Sequence, residues 1–312
     1  MASTTIDFGR LITAMVTPYD REGRVDYAQA VRLARALVEN GTDSVVVSGT
    51  TGESPCLSEE EKLTLFREIV QGLRGTGAKV IAGTGTYNTQ ESIELTEKAD
   101  RLGVDGFLLV VPYYNNPPQE GLYRHFKAIA ACTDKPCILY NVPSRTVRNM
   151  EAATVARLAE VPNIVGVKEA SGNLDQIAEI IRTTPPGFRV WSGNDADTFN
   201  IVCLGGYGVV SVASHLIGRQ IKEMIQRAVA GDLQTAARMH LEQLPLARAL
   251  FPPVAPVASP SAIKAALNMC GFYVGGLRLP LIELPEAAQA SLRRVLEGYQ
   301  LDSYLSLRQA VA

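Results

Sequence analysis

Eight short apolar runs recur along the chain as far as residue 212, each followed by a turn and, seven times over, by an amphipathic stretch. This alternation limits the fold more than any single motif does. The runs lie at 11–16, 44–47, 79–83, 106–111, 136–140, 164–168, 189–192 and 208–212. Most are rich in Val, Ile and Leu without polar alternation, the pattern of strands covered on both faces, so they predict a parallel sheet wrapped by helices. The intervening stretches carry helix signals. Asp26 precedes a helix at 27–38 with Gly41 beyond its end, Ser58 and Glu61 form a capping box, and Thr89 precedes a helix at 91–102 closed by Gly103. Further helices are expected at 118–131, 151–159, 174–183 and 197–204. Eight βα units with short connections predict a closed (β/α)8 TIM barrel. A doubly wound sheet would place a glycine-rich phosphate turn after its first strand. Gly83-Thr84-Gly85 instead follows the third, and lacks both the third glycine and the acidic partner.

From about Gly218 the strand pattern stops. Helices at 219–230, 233–250, 261–270 and 286–299 predict a C-terminal helical appendage, with a proline-rich connection at 252–260. The expected organisation is therefore a catalytic barrel at 1–217, a helical region at 218–300 and a surface tail at 301–312.

Composition narrows the function by exclusion. With 30 basic and 32 acidic residues the formal charge is −2, which offers no footprint for nucleic acid and no polybasic patch for a membrane. No apolar run approaches spanning length, residues 1–10 lack a signal-peptide pattern, and a cytoplasmic location is expected. The five cysteines are scattered without a Cys-x-x-Cys pair, and His125, His215 and His240 are equally dispersed. Neither a metal site nor histidine catalysis is expected.

A barrel of this kind places its chemistry at the C-terminal ends of the strands. There the chain offers hydroxyls, glycines and one lysine, Lys168, which ends the apolar run 164–168. Lysine is rarely buried without a partner, so Lys168 either snorkels to solvent or serves as a neutral nucleophile. Amid hydroxyls, imine formation with a ketone is the chemistry such a lysine suits. The stretch 49–54, with Thr50 and Thr51, reads either as a strand-to-helix turn or as an anion cradle. Arg145 reads either as a solvated loop arginine or as a guanidinium that grips a carboxylate bidentately, and Tyr113 and Tyr114 fit either packing or catalysis.

Six motifs in order then carry a family resemblance: Thr13-Ala14-Met15-Val16-Thr17-Pro18, Gly49-Thr50-Thr51-Gly52-Glu53-Ser54, Pro112-Tyr113-Tyr114-Asn115, Gln119-Glu120-Gly121-Leu122-Tyr123, Tyr140-Asn141-Val142-Pro143-Ser144-Arg145-Thr146 and Gly166-Val167-Lys168-Glu169. From about Phe8 to Leu281 the chain resembles the dihydrodipicolinate synthase family, pyruvate-dependent Schiff-base lyases of the diaminopimelate route to lysine. The resemblance implies that Lys168 forms the imine with pyruvate, that Tyr140 moves the protons, and that Thr50 links Tyr140 to a Tyr114 reaching in from a neighbouring subunit. It further implies that Thr51 and the backbone at Val210 hold pyruvate and that Arg145 binds L-aspartate 4-semialdehyde. The assembly it implies is a cytoplasmic homotetramer, a dimer of dimers, without cofactor. Ser54, Glu91 and Tyr113 match a lysine effector pocket known in inhibited members, whereas Glu59, Lys62 and Tyr87 depart from it. The alternatives are another lysine-imine aldolase, acting on N-acetylneuraminate or a 2-keto-3-deoxy sugar acid, and a non-catalytic keto-acid sensor.

Overall fold

The structure, a computed structural model, describes residues 6–251 and 259–307. Eight parallel strands close a barrel in sequence order: β1 (Leu11–Ala14), β2 (Ser44–Val47), β3 (Lys79–Gly83), β4 (Gly106–Val110), β5 (Cys137–Asn141), β6 (Ile164–Glu169), β7 (Arg189–Ser192) and β8 (Gly208–Ser211). The ring is sealed where β8 meets β1, with Ile12 opposite Val210. The strands match the apolar runs to within a residue or two, as runs buried on both faces should.

The helices are α1 (Tyr27–Glu39), α2 (Glu59–Gly72), α3 (Thr89–Asp100), α4 (Gln119–Ala130), α5 (Pro143–Thr146), α6 (Ala152–Leu158), α7 (Leu174–Thr183), α8 (Thr198–Cys203), α9 (Ser214–Val229), α10 (Leu233–Ala249), α11 (Ser261–Met269) and α12 (Glu286–Leu296). Asp26 caps α1 and the Ser58–Glu61 box caps α2. Thr89 is itself helical: the cap of α3 is Asn88, whose side chain accepts from the backbone N–H groups of Gln90 and Glu91. The short α5, which carries Arg145, has too few residues for any periodicity to announce it.

Side chains sort into two cores. One lies between the barrel and its helices. The other fills the barrel and includes Phe8, Ile12, Val46, Ile138, Trp191 and Val210. Trp191 is fully buried there, and it explains Gly166: a Cβ at that position would stand 2.6 Å from the indole and 2.2 Å from the Arg189 carbonyl oxygen. The barrel is thus plugged beneath its mouth, two residues before Lys168 on the same face of β6.

At the C-terminal side the sequence expectation needs correction. Helix α9 starts at Ser214, five residues before the helix expected at 219–230, and bends at Ile217 (φ −137°). It packs on β1, α1 and α8, so it completes the ring of barrel helices, and the expected 217/218 boundary falls inside it. Gly218 disguised this continuity; a Cβ there would press on the Asn40 carbonyl oxygen at 2.8 Å. Helices α10 to α12 form the layer outside it. Residues 252–258 of the proline-rich connection lie outside the described residues. Residues 301–307 do not hang free. The Asp302 carboxylate accepts from Gly218 N (2.6 Å) just past the bend in α9, Ser303 bonds Asn40, and the Tyr304 hydroxyl donates to the His215 carbonyl oxygen.

Candidate active site

The C-terminal ends of the strands surround a cavity of about 220 Å³. Its wall includes Thr50 and Ser54 from the loop after β2, Gly83 from β3, Tyr113 from the loop after β4, Tyr140 from β5 and Arg145 from α5. Gly83 is needed there because a Cβ would meet the Ser48 carbonyl oxygen at 2.3 Å.

Lys168 lies behind this wall, 5% exposed. It stands opposite Tyr140 in the β5–β6 register and beside Trp191 in the β6–β7 register, and its Nζ sits 4.1 Å from the centre of the Tyr140 ring. The strand pleat sends the next residue the other way. Glu169 points outward into a polar pocket, where its carboxylate accepts from Asn141 Nδ2 (3.1 Å) and Ser171 N (2.7 Å). Burial pushes the Glu169 carboxyl up, and those hydrogen bonds oppose the rise.

Thr51 and Val210 are also buried, at 5% and 1% exposure, beneath the lining. Arg145 is exposed at the rim, its backbone fixed by Arg145 N donating to the Val142 carbonyl oxygen (2.9 Å). Tyr114 is 93% exposed and does not line the cavity within one chain. Its φ is +75°. Among the described residues, the non-glycine residues in the left-handed region are Ser48, Glu53, Tyr114, Asn116 and Val147, and all sit in loops at the mouth. Backbone strain of this kind collects where surrounding structure dictates a position, as functional rims do.

Of the residues matched to an effector pocket, Ser54 and Tyr113 line the cavity, while exposed Glu91 stands off it on the first turn of α3. Tyr87 and Tyr113 meet edge to face at 5.3 Å. Burial pushes the nearby Lys62 ammonium down, and Glu59 and Glu91 pull it back up.

Two residues that sequence reasoning passed over belong to the site's frame. Asp195, after β7, accepts from the Ser211 hydroxyl and from the backbone N–H groups of Val212 and Ala213 (both 3.0 Å). Burial pushes its carboxyl up, and those donors and the charge of Lys168 draw it down. An aspartate directly behind an apolar strand was a readable signal. His215 is the other: Val16 N donates to its Nε2 (3.2 Å) while its Nδ1 lies 2.8 Å from the Val212 carbonyl oxygen, joining the loops after β1 and β8.

A buried lysine facing a tyrosine, with an arginine at the rim, narrows the chemistry, and similarity to known proteins narrows the family. A sequence profile of the dihydrodipicolinate synthetase family matches residues 7–299. The chain belongs to that family. Among relatives of the dihydrodipicolinate synthetases, the 4-hydroxy-tetrahydrodipicolinate synthase of Dehalococcoides mccartyi strain 195 is 56% identical over 296 residues, covering 95% of this chain and 98% of the relative. That of Heliobacterium modesticaldum is 50% identical over 307 residues, covering 98% and 100%. In three dimensions the chain resembles the dihydrodipicolinate synthase of Cyanidioschyzon merolae solved with lysine bound, with a TM-score of 0.91 at 49% identity over 93% of this chain and 98% of the other. The Bacillus anthracis family structure gives 0.91 at 45% identity over 95% and 100%.

Proposed function

We infer that this chain is a 4-hydroxy-tetrahydrodipicolinate synthase, condensing pyruvate with L-aspartate 4-semialdehyde. The observation that carries this reading is Lys168, buried at the end of β6 with its amine over the Tyr140 ring. The named relatives favour it over the sugar-acid aldolases and the sensor.

In the proposed sequence the Lys168 amine, once neutral, adds to the C2 carbonyl of pyruvate. Tyr140 passes a proton to the departing hydroxyl, water leaves and the imine forms. Loss of a methyl proton gives an enamine, whose carbon attacks the aldehyde of the second substrate while the aldehyde oxygen takes up a proton. The amine of that substrate then adds to the imine carbon, Lys168 leaves as the free amine and the six-membered ring closes. Thr50 relays protons between Tyr140 and a tyrosine supplied by a second subunit, Tyr114. Thr51 and the backbone at Val210 hold pyruvate, and Arg145 holds the carboxylate of the semialdehyde.

The subunit-crossing role is supported by the outward projection of Tyr114 (93% exposed) and Val147 (77% exposed) on adjoining loops, tied where Arg148 Nη2 donates to the Asn116 carbonyl oxygen (3.3 Å). The enzyme works as a homotetramer, a dimer of dimers, in the cytoplasm; among the described residues no helix is long and apolar enough to cross a membrane. The test is a panel in which pyruvate is offered with aspartate semialdehyde, N-acetylmannosamine or sugar aldehydes. Turnover with the semialdehyde at a kcat/KM at least about a hundredfold above the others is expected; preference for a sugar acceptor would overturn the assignment.

A further inference from the structure

The loop that carries Thr50 and Thr51 is held from outside the barrel. Its Glu53 has φ +58°, a left-handed conformation that side-chain-bearing residues seldom adopt. What fixes it there is Lys264 of α11, far away in sequence. Lys264 Nζ lies 2.7 Å from Glu53 Oε1 and donates to the Gly276 carbonyl oxygen at 2.6 Å, with the two side chains 2% and 0% exposed. The other carboxylate oxygen, Oε2, accepts from Arg278 N at 3.1 Å. The Arg278 guanidinium in turn forks onto Glu61 at 2.8 and 2.7 Å. The Tyr19 ring contacts both cations, 4.0 Å from Lys264 Nζ and 4.7 Å from Arg278 Cζ.

This cluster reaches the site through the backbone. Glu53 N donates to the Thr50 carbonyl oxygen (3.1 Å), and Gly52, between Thr51 and Glu53, has its carbonyl oxygen bound by the Thr17 hydroxyl at 2.6 Å. The turn is therefore held at two adjacent residues, Gly52 by the segment after β1 and Glu53 by the C-terminal helical layer. An ion pair is directional, and a buried one with every partner in place defines a single geometry more sharply than apolar packing does. Removing the lysine would leave the Glu53 carboxylate buried without its counter-charge, and the turn would relax toward ordinary φ.

We propose that Lys264 is a positioning residue for the reaction: through Glu53 it sets where the Thr50 and Thr51 hydroxyls stand, so that the C-terminal helical layer governs the rate of imine formation. This role presupposes the imine chemistry proposed for Lys168. Lys264 touches no substrate; it acts on the loop. Burial pulls its ammonium down to about 8, and Glu53 opposes the fall, in keeping with an amine held by one counter-charge.

The test uses the full-length enzyme with Lys264→Met and, as a milder change that keeps the shape of the acid, Glu53→Gln. Borohydride trapping with saturating pyruvate is followed in time and normalised to the final number of trappable sites, and amide exchange is read across residues 45–54. Lys264→Met is expected to slow trapping per competent site by about tenfold or more, since small misplacement of proton-relay groups is costly. Exchange at 50–54 should quicken by about tenfold while that of β2 holds. A brace that serves stability alone would reduce the number of trappable sites and leave the rate per site within twofold of wild type, and that result overturns the proposal. If Lys264→Met does not fold, Glu53→Gln is judged by the same two criteria. Should wild-type enzyme show no pyruvate-dependent trapping, the imine reading fails by itself, and exchange at 50–54 still decides whether Lys264 positions the loop.

Discussion

Lys168 and Glu169 are chain neighbours with opposite surroundings, and the pleat of one strand separates them. The lysine faces the mouth beside Tyr140, whereas the carboxylate turns out among Asn141, Ser171 and Gln176, too well satisfied to serve as a base in the cavity. Arg145 is different again: it sits exposed at the rim with its side chain in the cavity wall. In the proposed reaction a guanidinium there acts on the second substrate's carboxylate and not on the imine. Arg145→Ala is expected to raise KM for the semialdehyde roughly 10- to 100-fold, the loss of a charge-assisted hydrogen bond of about 1.5–3 kcal/mol. Steady-state kinetics beside pyruvate trapping checks this, with trapping unchanged; equal damage to both would remove Arg145 from its place. At this scale the sequence was readable where a polar side chain ends an apolar strand, as for Lys168 and Tyr140, whereas Asp195, three residues beyond β7, was passed over. The sequence was silent where a contact spans the chain. Lys264 looks like any helical lysine until folding buries it against Glu53, 211 residues away.

Among elements, the strands were legible because burial on both faces leaves an unbroken apolar run, and the capped helices because their first turns carry side-chain acceptors. Helix α9 was misread because its bend at Ile217 and the following Gly218 imitate an end. The segment 301–307, read from the sequence only as a surface tail, docks through Asp302, Ser303 and Tyr304 onto groups far from it in the chain, which no local pattern announces. Burial pushes the Asp302 carboxyl up from 3.8 to about 6, against the pull of the Gly218 and Arg219 N–H groups. The folded state therefore holds this proton over a window, about pH 4 to 6, in which the unfolded chain has released it. There ν_N exceeds ν_U, so this group's contribution to stability falls as pH rises through the window and levels off above it. Urea titrations of wild type and Asp302→Asn between pH 4 and 8 check this. The difference in unfolding free energy between the two should change across pH 4 to 6 and be flat from 7 to 8; a difference independent of pH would show that Asp302 does not titrate in that window.

For the whole molecule, one chain supplies the cavity, Lys168, Tyr140 and Arg145, while Tyr114 faces away from it. If the site is completed across a two-fold interface, two variants that are each inactive should complement each other: Lys168→Ala, which keeps a sound Tyr114, and Tyr114→Phe, which keeps a sound Lys168. Random re-association of an isologous pair places one intact site in each hybrid, so the mixture should recover about a quarter of wild-type activity. Co-refolding with an activity assay measures this, and a mixture no more active than its parts would place Tyr114 outside the neighbour's site. The barrel itself could be read from the sequence, because eight repeats of one unit leave few topologies. Assembly could not be read from periodicity, since outward residues such as Tyr114 and Val147 stand alone in the sequence and gain meaning only from their place on the rim.

The proposed reaction depends on Lys168 being the nucleophile. Incubation with pyruvate and borohydride, followed by peptide mapping, tests that directly. The expected result is a single reduced pyruvate adduct on Lys168, absent without pyruvate and lost in Lys168→Ala. Label on Lys264 or any other lysine, or recovery of unmodified protein, would contradict it.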